Sequence, residues 1–171
     1  MFSGCSQEQS KQLIKLLNSG LITGATRDVI WLSVHRRLPV RVILRWVRFV
    51  DTTECPMPLC NATETIDHML FDCNRSQEVW RKMYDMGVKV PCHRDTLYGI
   101  FNCAKKNYNL FWICICVTIF KLWKTRCKMA IDQCYVDSET VFKHIKTELK
   151  RRRTMDLKKG QSSVNWSAIN L

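Results

Sequence analysis

Four residues of this chain have the types and the spacing to hold a metal ion. Cys55, Cys60, His68 and Cys73 follow one another as C-x4-C-x7-H-x4-C. Thiolate sulfur and imidazole nitrogen are donors that zinc favours, and three sulfurs with one nitrogen complete its tetrahedral shell. A closed shell leaves no position for a substrate, so the expected cofactor is one Zn2+ in a structural role. Within Cys55-Pro56-Met57-Pro58-Leu59-Cys60 two prolines keep the backbone out of a helix, so both thiols can leave one loop toward one ion. The prolines and polar residues around them would make a poor apolar core, which argues against ordinary buried thiols. His68 alone, between Ile66 and Leu70, would read as a packed histidine; its spacing from Cys73 makes it a ligand candidate.

The remaining chemistry-bearing residues carry less. Cys92-His93 is a weaker candidate to replace one ligand. Cys114 and Cys116 fall on different sides of a helix and read as buried thiols. Cys127 and Cys134, spaced i and i+7 on a helical pattern, would lie about 10 Å apart, too far for a disulfide. No spacing pairs a spare cysteine with His35, His93 or His144 as a thiol protease requires. Tyr135-Val136-Asp137-Ser138 is superficially similar to a polymerase Tyr-x-Asp-Asp element, but Ser138 stands where a second metal-holding carboxylate is needed. The chain is expected to be no enzyme and to have no small-molecule substrate.

Helical patterns must position the metal loop. Ser10–Leu17 reads as a short amphipathic helix ended by Asn18-Ser19-Gly20, and a second helix is expected from Thr26 to Arg36. Pro39 suits the first turn of a third, ending near Val50, which should bury most of its circumference and expose the stripe Arg41, Arg45, Arg48. Residues 51–75 read as the zinc loop. Beyond it, helices are expected over 76–86, 95–102 and 110–133, and from Asp137-Ser138-Glu139 onward. The helix over 110–133 is apolar all round in its first half and aligns Lys121, Lys124 and Lys128 in its second. The last helix carries Val141, Ile145 and Leu149 on its inner face. Trp31, Trp46, Trp80, Trp112 and Trp123 all lie in helical patterns among aliphatics, so most of them read as core, while Trp166 sits in a polar tail and reads as exposed. Strand-like alternation is scarce. The expected fold is mainly α, an irregular helical bundle with a zinc-stapled loop, divided into a leader (1–24), a zinc-binding domain (25–150) and a basic frayed tail (151–171).

Charge points to the partner. The 171 residues carry a net charge of +12, more than solubility requires, which favours a polyanion. Between Lys143 and Lys159 eight basic residues face two acids, Glu148 and Asp156. The expected contacts are Arg41, Arg45, Arg48, Lys121, Lys124, Lys128, Lys150, Arg151, Arg152 and Arg153 on RNA or DNA phosphates. The longest apolar run, Leu110 to Phe120, is far short of the roughly 20 residues of a membrane span. The N-terminus shows neither a cationic nor an apolar signal region. No membrane contact is expected, and the thiols should be free or metal-bound inside the cell, in nucleus or cytoplasm.

A family resemblance joins these pieces. Ile30-Trp31-Leu32 leads into His35-Arg36-Arg37-Leu38-Pro39, with Arg45 before the cysteine loop. Cys55-Pro56 to Cys60 comes next, then Glu64-Thr65-Ile66-Asp67-His68-Met69-Leu70-Phe71-Asp72-Cys73 and Gln77-Glu78-Val79-Trp80. This ordered string resembles the zinc-binding region that follows the reverse transcriptase in non-LTR (LINE-type) retrotransposons, and Leu122-Trp123-Lys124-Thr125-Arg126 is similar to the helix downstream of it. The family commonly has two residues between its first cysteines; here there are four. The resemblance implies a grip on template RNA or target DNA beside a polymerase, in a piece detached from that polymerase or domesticated. A reverse transcriptase or another protein is an implied partner. The alternative from another class is an α-helical adaptor whose basic tail docks acidic proteins.

Overall fold

The longest apolar run of the sequence forms the centre of the structure. A computed structural model describes residues 7–91, 94–158 and 164–171. Helix α5 (Tyr108–Asp132) buries every residue from Leu110 to Ile119. A helix apolar all round must be covered all round. Helix α2 (Gly24–Val34), helix α6 (Ser138–Lys158), helix α4 (Asn74–Asp85) and the turn before α4 supply that cover. Helix α6 adds Val141, Ile145 and Leu149, all fully buried at the i, i+4, i+8 spacing of one face. Helix α1 (Gln7–Leu17) closes one edge with Leu13, Leu16 and Leu17. Fully burying side chains of this size contributes about 1.5–3 kcal/mol each, set against the entropy of ordering the chain. Among the described residues every regular element is helical and the one β-contact is an isolated bridge. No described helix is long and apolar enough to cross a membrane.

Several boundaries differ from expectation. Helix α2 starts at Gly24, capped by Thr23, whose hydroxyl accepts the Thr26 N–H. The segment expected as a helix over 95–102 is a 3-10 turn, Arg94–Tyr98. Cys134 lies past the end of α5, so it shares no helical face with Cys127. The largest difference is helix α3, only Arg41–Trp46, with none of its residues buried. Trp46 is 80% exposed and Trp31 42%, so these two fall outside the core expected for most of the helical tryptophans.

The tail is also corrected. Residues 151–158 continue α6, and Val164, Trp166 and Ile169 are buried beyond it. The Trp166 indole N–H donates to Asp156 at 2.8 Å, and the Asn170 N–H donates to the Met86 carbonyl at 2.9 Å. The polar stretch before Val164 hid an apolar anchor.

Candidate metal centre

The cysteine loop is a narrow antiparallel finger. Glu54 and Thr63 bridge, the Glu64 N–H donates to the Thr53 carbonyl at 2.7 Å, and the Cys55 N–H donates to Ala62 at 2.8 Å. At the tip the Cys60 N–H donates to the Met57 carbonyl, leaving Pro58 and Leu59 at the two inner positions of a turn. Proline favours the first of these, and Leu59 takes φ +60 at the second, where a type II turn needs a left-handed residue. This reversal returns Cys60 toward Cys55 across the four-residue spacing.

The other two donors come from a turn that sequence periodicity does not reveal. His68 and Cys73 are five residues apart, about 140° around an α-helix and therefore on different faces. Residues His68–Asp72 instead form a π-turn, in which the Cys73 N–H donates to the His68 carbonyl at 2.7 Å. An i to i+5 bond widens the turn so that the fifth residue comes back over the first. The H-x4-C spacing is thus a π spacing.

These two devices bring all four donor atoms within 4.8 Å of one another. The Cys60 sulfur lies 3.4 Å from Nε2 of His68. Zinc bonds of about 2.3 Å to sulfur and 2.0 Å to nitrogen imply donor separations of roughly 3.6–3.8 Å, so the set fits such an ion with small adjustments. Cys55 and Cys73 are buried with Met57 in a small apolar cluster of their own, against Met129 of α5.

The surroundings favour thiolate, the ligating form, at Cys73, while the hydrogen bond to Cys73 and burial push the Cys55 thiol up, so that Cys55 keeps the proton the pair shares. The Cys73 thiol is pulled down to about 5, chiefly by the hydrogen bond it receives from Cys55 and also by the N–H groups of Arg75 and Ser76 at the start of α4. Arg75 is buried and has no carboxylate partner among the described residues. Its guanidinium donates to Thr125 Oγ1 and to the carbonyls of Val136 and Leu122. Burial holds its pKa down, while the charge of Cys73 opposes that effect. A buried cation without a carboxylate is costly unless another negative charge is near, and the cysteine cluster is that charge.

Two ion pairs fix the loop to the helices. Glu64, fully buried, accepts from Arg126 Nε at 2.8 Å and from its terminal nitrogen at 2.6 Å, and its Oε2 also accepts the Arg41 N–H at 2.7 Å. Arg36 makes a two-pronged pair with Asp67, both bonds at 2.7 Å. The Trp80 indole N–H donates to the Leu70 carbonyl.

Residues 5–80 match the family described as zinc-binding in reverse transcriptase. This stretch is therefore similar to a zinc-binding region associated with reverse transcriptase. The matched family is a zinc-binding one, distinct from the catalytic reverse transcriptase domain. No curated protein and no solved structure matches the chain. The two ion pairs explain part of the family-like string: Arg36 and Asp67 belong to one pair, Glu64 and Arg126 to the other. Cys92 and His93 lie outside the described residues. The eight described cysteines are free thiols, and Cys114 and Cys116 are fully buried, their pKa values pushed up by burial. Asp137 of the polymerase-like tetrapeptide caps α6 through the Thr140 N–H and hydroxyl.

The basic residues separate into groups. Lys121, Lys124 and Lys128 line one open groove of about 550 Å3 with His144 of α6 and one acid, Asp132. Lys150 and Arg153 are exposed on α6. Arg152 is half-buried and bonded to Glu148 and the Leu21 carbonyl, and Arg151 shares Glu148 with it. The expected stripe on α3 is not one stripe. Arg41 donates to the Glu54 carbonyl, and Arg48 lies beyond the helix end at φ +59.

Proposed function

We propose that this chain is a zinc-stapled nucleic-acid-binding module, accessory to reverse transcription and without polymerase activity of its own. Cys55, Cys60, His68 and Cys73 hold one zinc ion, which joins the finger to the start of α4 and contributes folding free energy there. Three thiolates and a neutral imidazole around Zn2+ leave one net negative charge, which Arg75 offsets. The ion supplies cross-linking and no reaction step. RNA or DNA is held at its phosphates by lysines and arginines.

The observation that carries the nucleic-acid reading is the groove between α5 and α6. Lys121, Lys124 and Lys128 enter it from one face of α5, cations along two helical turns against a single acid. Lys150 and Arg153 add exposed cations on α6. Such an arrangement binds a phosphate backbone with little sequence preference and releases condensed counterions. The test is binding of labelled RNA and DNA at graded salt by the parent and by a Lys121→Ala, Lys124→Ala, Lys128→Ala variant. The log K against log salt slope should flatten by up to about 0.7–0.9 per lost contact, with zinc content unchanged. Parent-like affinity of the variant at every salt concentration would remove the groove from the binding surface.

A further inference from the structure

Helices α2 and α3 end in the same way, and the comparison isolates an unused side chain. In each, the N–H two residues past the cap bonds the carbonyl five residues back: Arg37 to Leu32, and Phe49 to Leu44, both at 2.8 Å. The residue between cap and closing N–H is left-handed, Arg36 at φ 56 and Arg48 at φ 59. This is the Schellman ending, whose left-handed position favours glycine because a Cβ is strained there. The fold uses Arg36, whose guanidinium grips Asp67. It does not use Arg48. Among the described residues no hydrogen bond, ion pair or ring contact engages the side chain of Arg45, Trp46, Arg48 or Phe49.

Trp46 is 80% exposed and Phe49 76%. Residues 41–50 hold three arginines and no acid. The surface left at the end of α3 therefore interleaves free guanidinium groups with free aromatic faces. An apolar protein partner would account for the rings but not for the uncompensated cations between them. A strand with unpaired bases accounts for both, since bases stack on aromatic rings while arginines hold the flanking phosphates.

We infer that Arg45, Trp46, Arg48 and Phe49 form a stacking platform for single-stranded nucleic acid, separate from the lysine groove. This deepens the nucleic-acid reading and rests on it. Duplex, with its bases paired and stacked inside, gains only the arginine contacts here.

The experiment uses the zinc-loaded full chain and two fluorescein-labelled probes, an oligo-dT and a duplex of the same length, read by anisotropy. Trp46→Ala with Phe49→Ala removes exposed rings and should leave the fold and zinc content intact. Affinity for oligo-dT should fall by about 5- to 150-fold per stacked base, with duplex affinity nearly unchanged. Arg48→Gly should raise or keep the melting temperature, because glycine suits that position. It should also weaken oligo-dT binding and flatten the salt slope by about 0.7. Equal losses on both probes would overturn the stacking claim. Parent-like oligo-dT affinity of the ring variant would assign the patch to a protein surface instead. If the parent binds neither probe, the nucleic-acid reading falls, and the platform falls with it.

Discussion

Replacing Glu64 by Gln should unfold the finger from the helices at a temperature well below that of the parent. Glu64 is fully buried, and the side chain of Arg126 is 4% exposed, so water screens neither charge. The carboxylate accepts three hydrogen bonds, two from Arg126 and one from the Arg41 N–H. Glutamine keeps the shape and one acceptor but leaves the Arg126 cation buried without its counter-charge. Breaking a buried pair from one side costs about 3–5 kcal/mol, and the retained acceptor places this variant near the lower end. For a domain of this size about 3 kcal/mol lowers the melting temperature by roughly 6–12 °C. The assay is thermal unfolding followed by circular dichroism at saturating zinc. The double variant Glu64→Leu with Arg126→Met should recover much of the loss, because an apolar pair carries no desolvation cost. A single variant melting within about 2 °C of the parent, or a double variant no better than the single one, would refute the claim that this pair fastens the finger to α5.

Cys114→Ala should cost about 1 kcal/mol through a small cavity and leave metal content unchanged, whereas Cys60→Ala should lose zinc; elemental analysis with melting curves separates the two. Among the described cysteines, alkylation of the native protein should reach Cys134 first, which is exposed, and should spare Cys114 and Cys116 until unfolding, since burial keeps both thiols protonated; timed mass spectrometry checks the order. Trp166→Ala should destabilise by about 3–5 kcal/mol, because this indole is buried and bonded to Asp156; a melting temperature equal to the parent's would restore the picture of a frayed tail.

What the sequence discloses and what it hides follow different physics. The four candidate metal donors are legible because cysteines set among prolines and polar residues make a poor apolar core, and the fold does bring the four donor atoms together. The buried half of α5 is legible because no charge interrupts it from Leu110 to Phe120, and the inner face of α6 because Val141, Ile145 and Leu149 repeat at helical spacing. The way His68 and Cys73 converge is not, since an i, i+5 pair looks misplaced until a π-turn is known to carry it. The early end of α3 is hidden because the chain reverses on Arg48, and a left-handed arginine gives no signal of the kind glycine gives. Were the helix longer, Trp46 would fall on a pattern that resembles core. Trp166 misleads for a complementary reason. Its partner Asp156 on α6, like the Met86 carbonyl that receives the Asn170 N–H, is set by tertiary packing, and local polarity does not report it. Arg152 shows the same limit for charge, since counting cations cannot separate one bonded to Glu148 and Leu21 from its exposed neighbour Arg153.

The central claim is that one zinc ion is held by three sulfurs and one imidazole at the junction of the finger and α4. X-ray absorption at the zinc edge, on protein purified without chelator and with metal stoichiometry measured on the same sample, tests it directly. The expected result is one zinc per chain, with three sulfur scatterers at about 2.3 Å and one nitrogen at about 2.0 Å. Folded protein without metal, or a zinc shell of nitrogen and oxygen only, would contradict it.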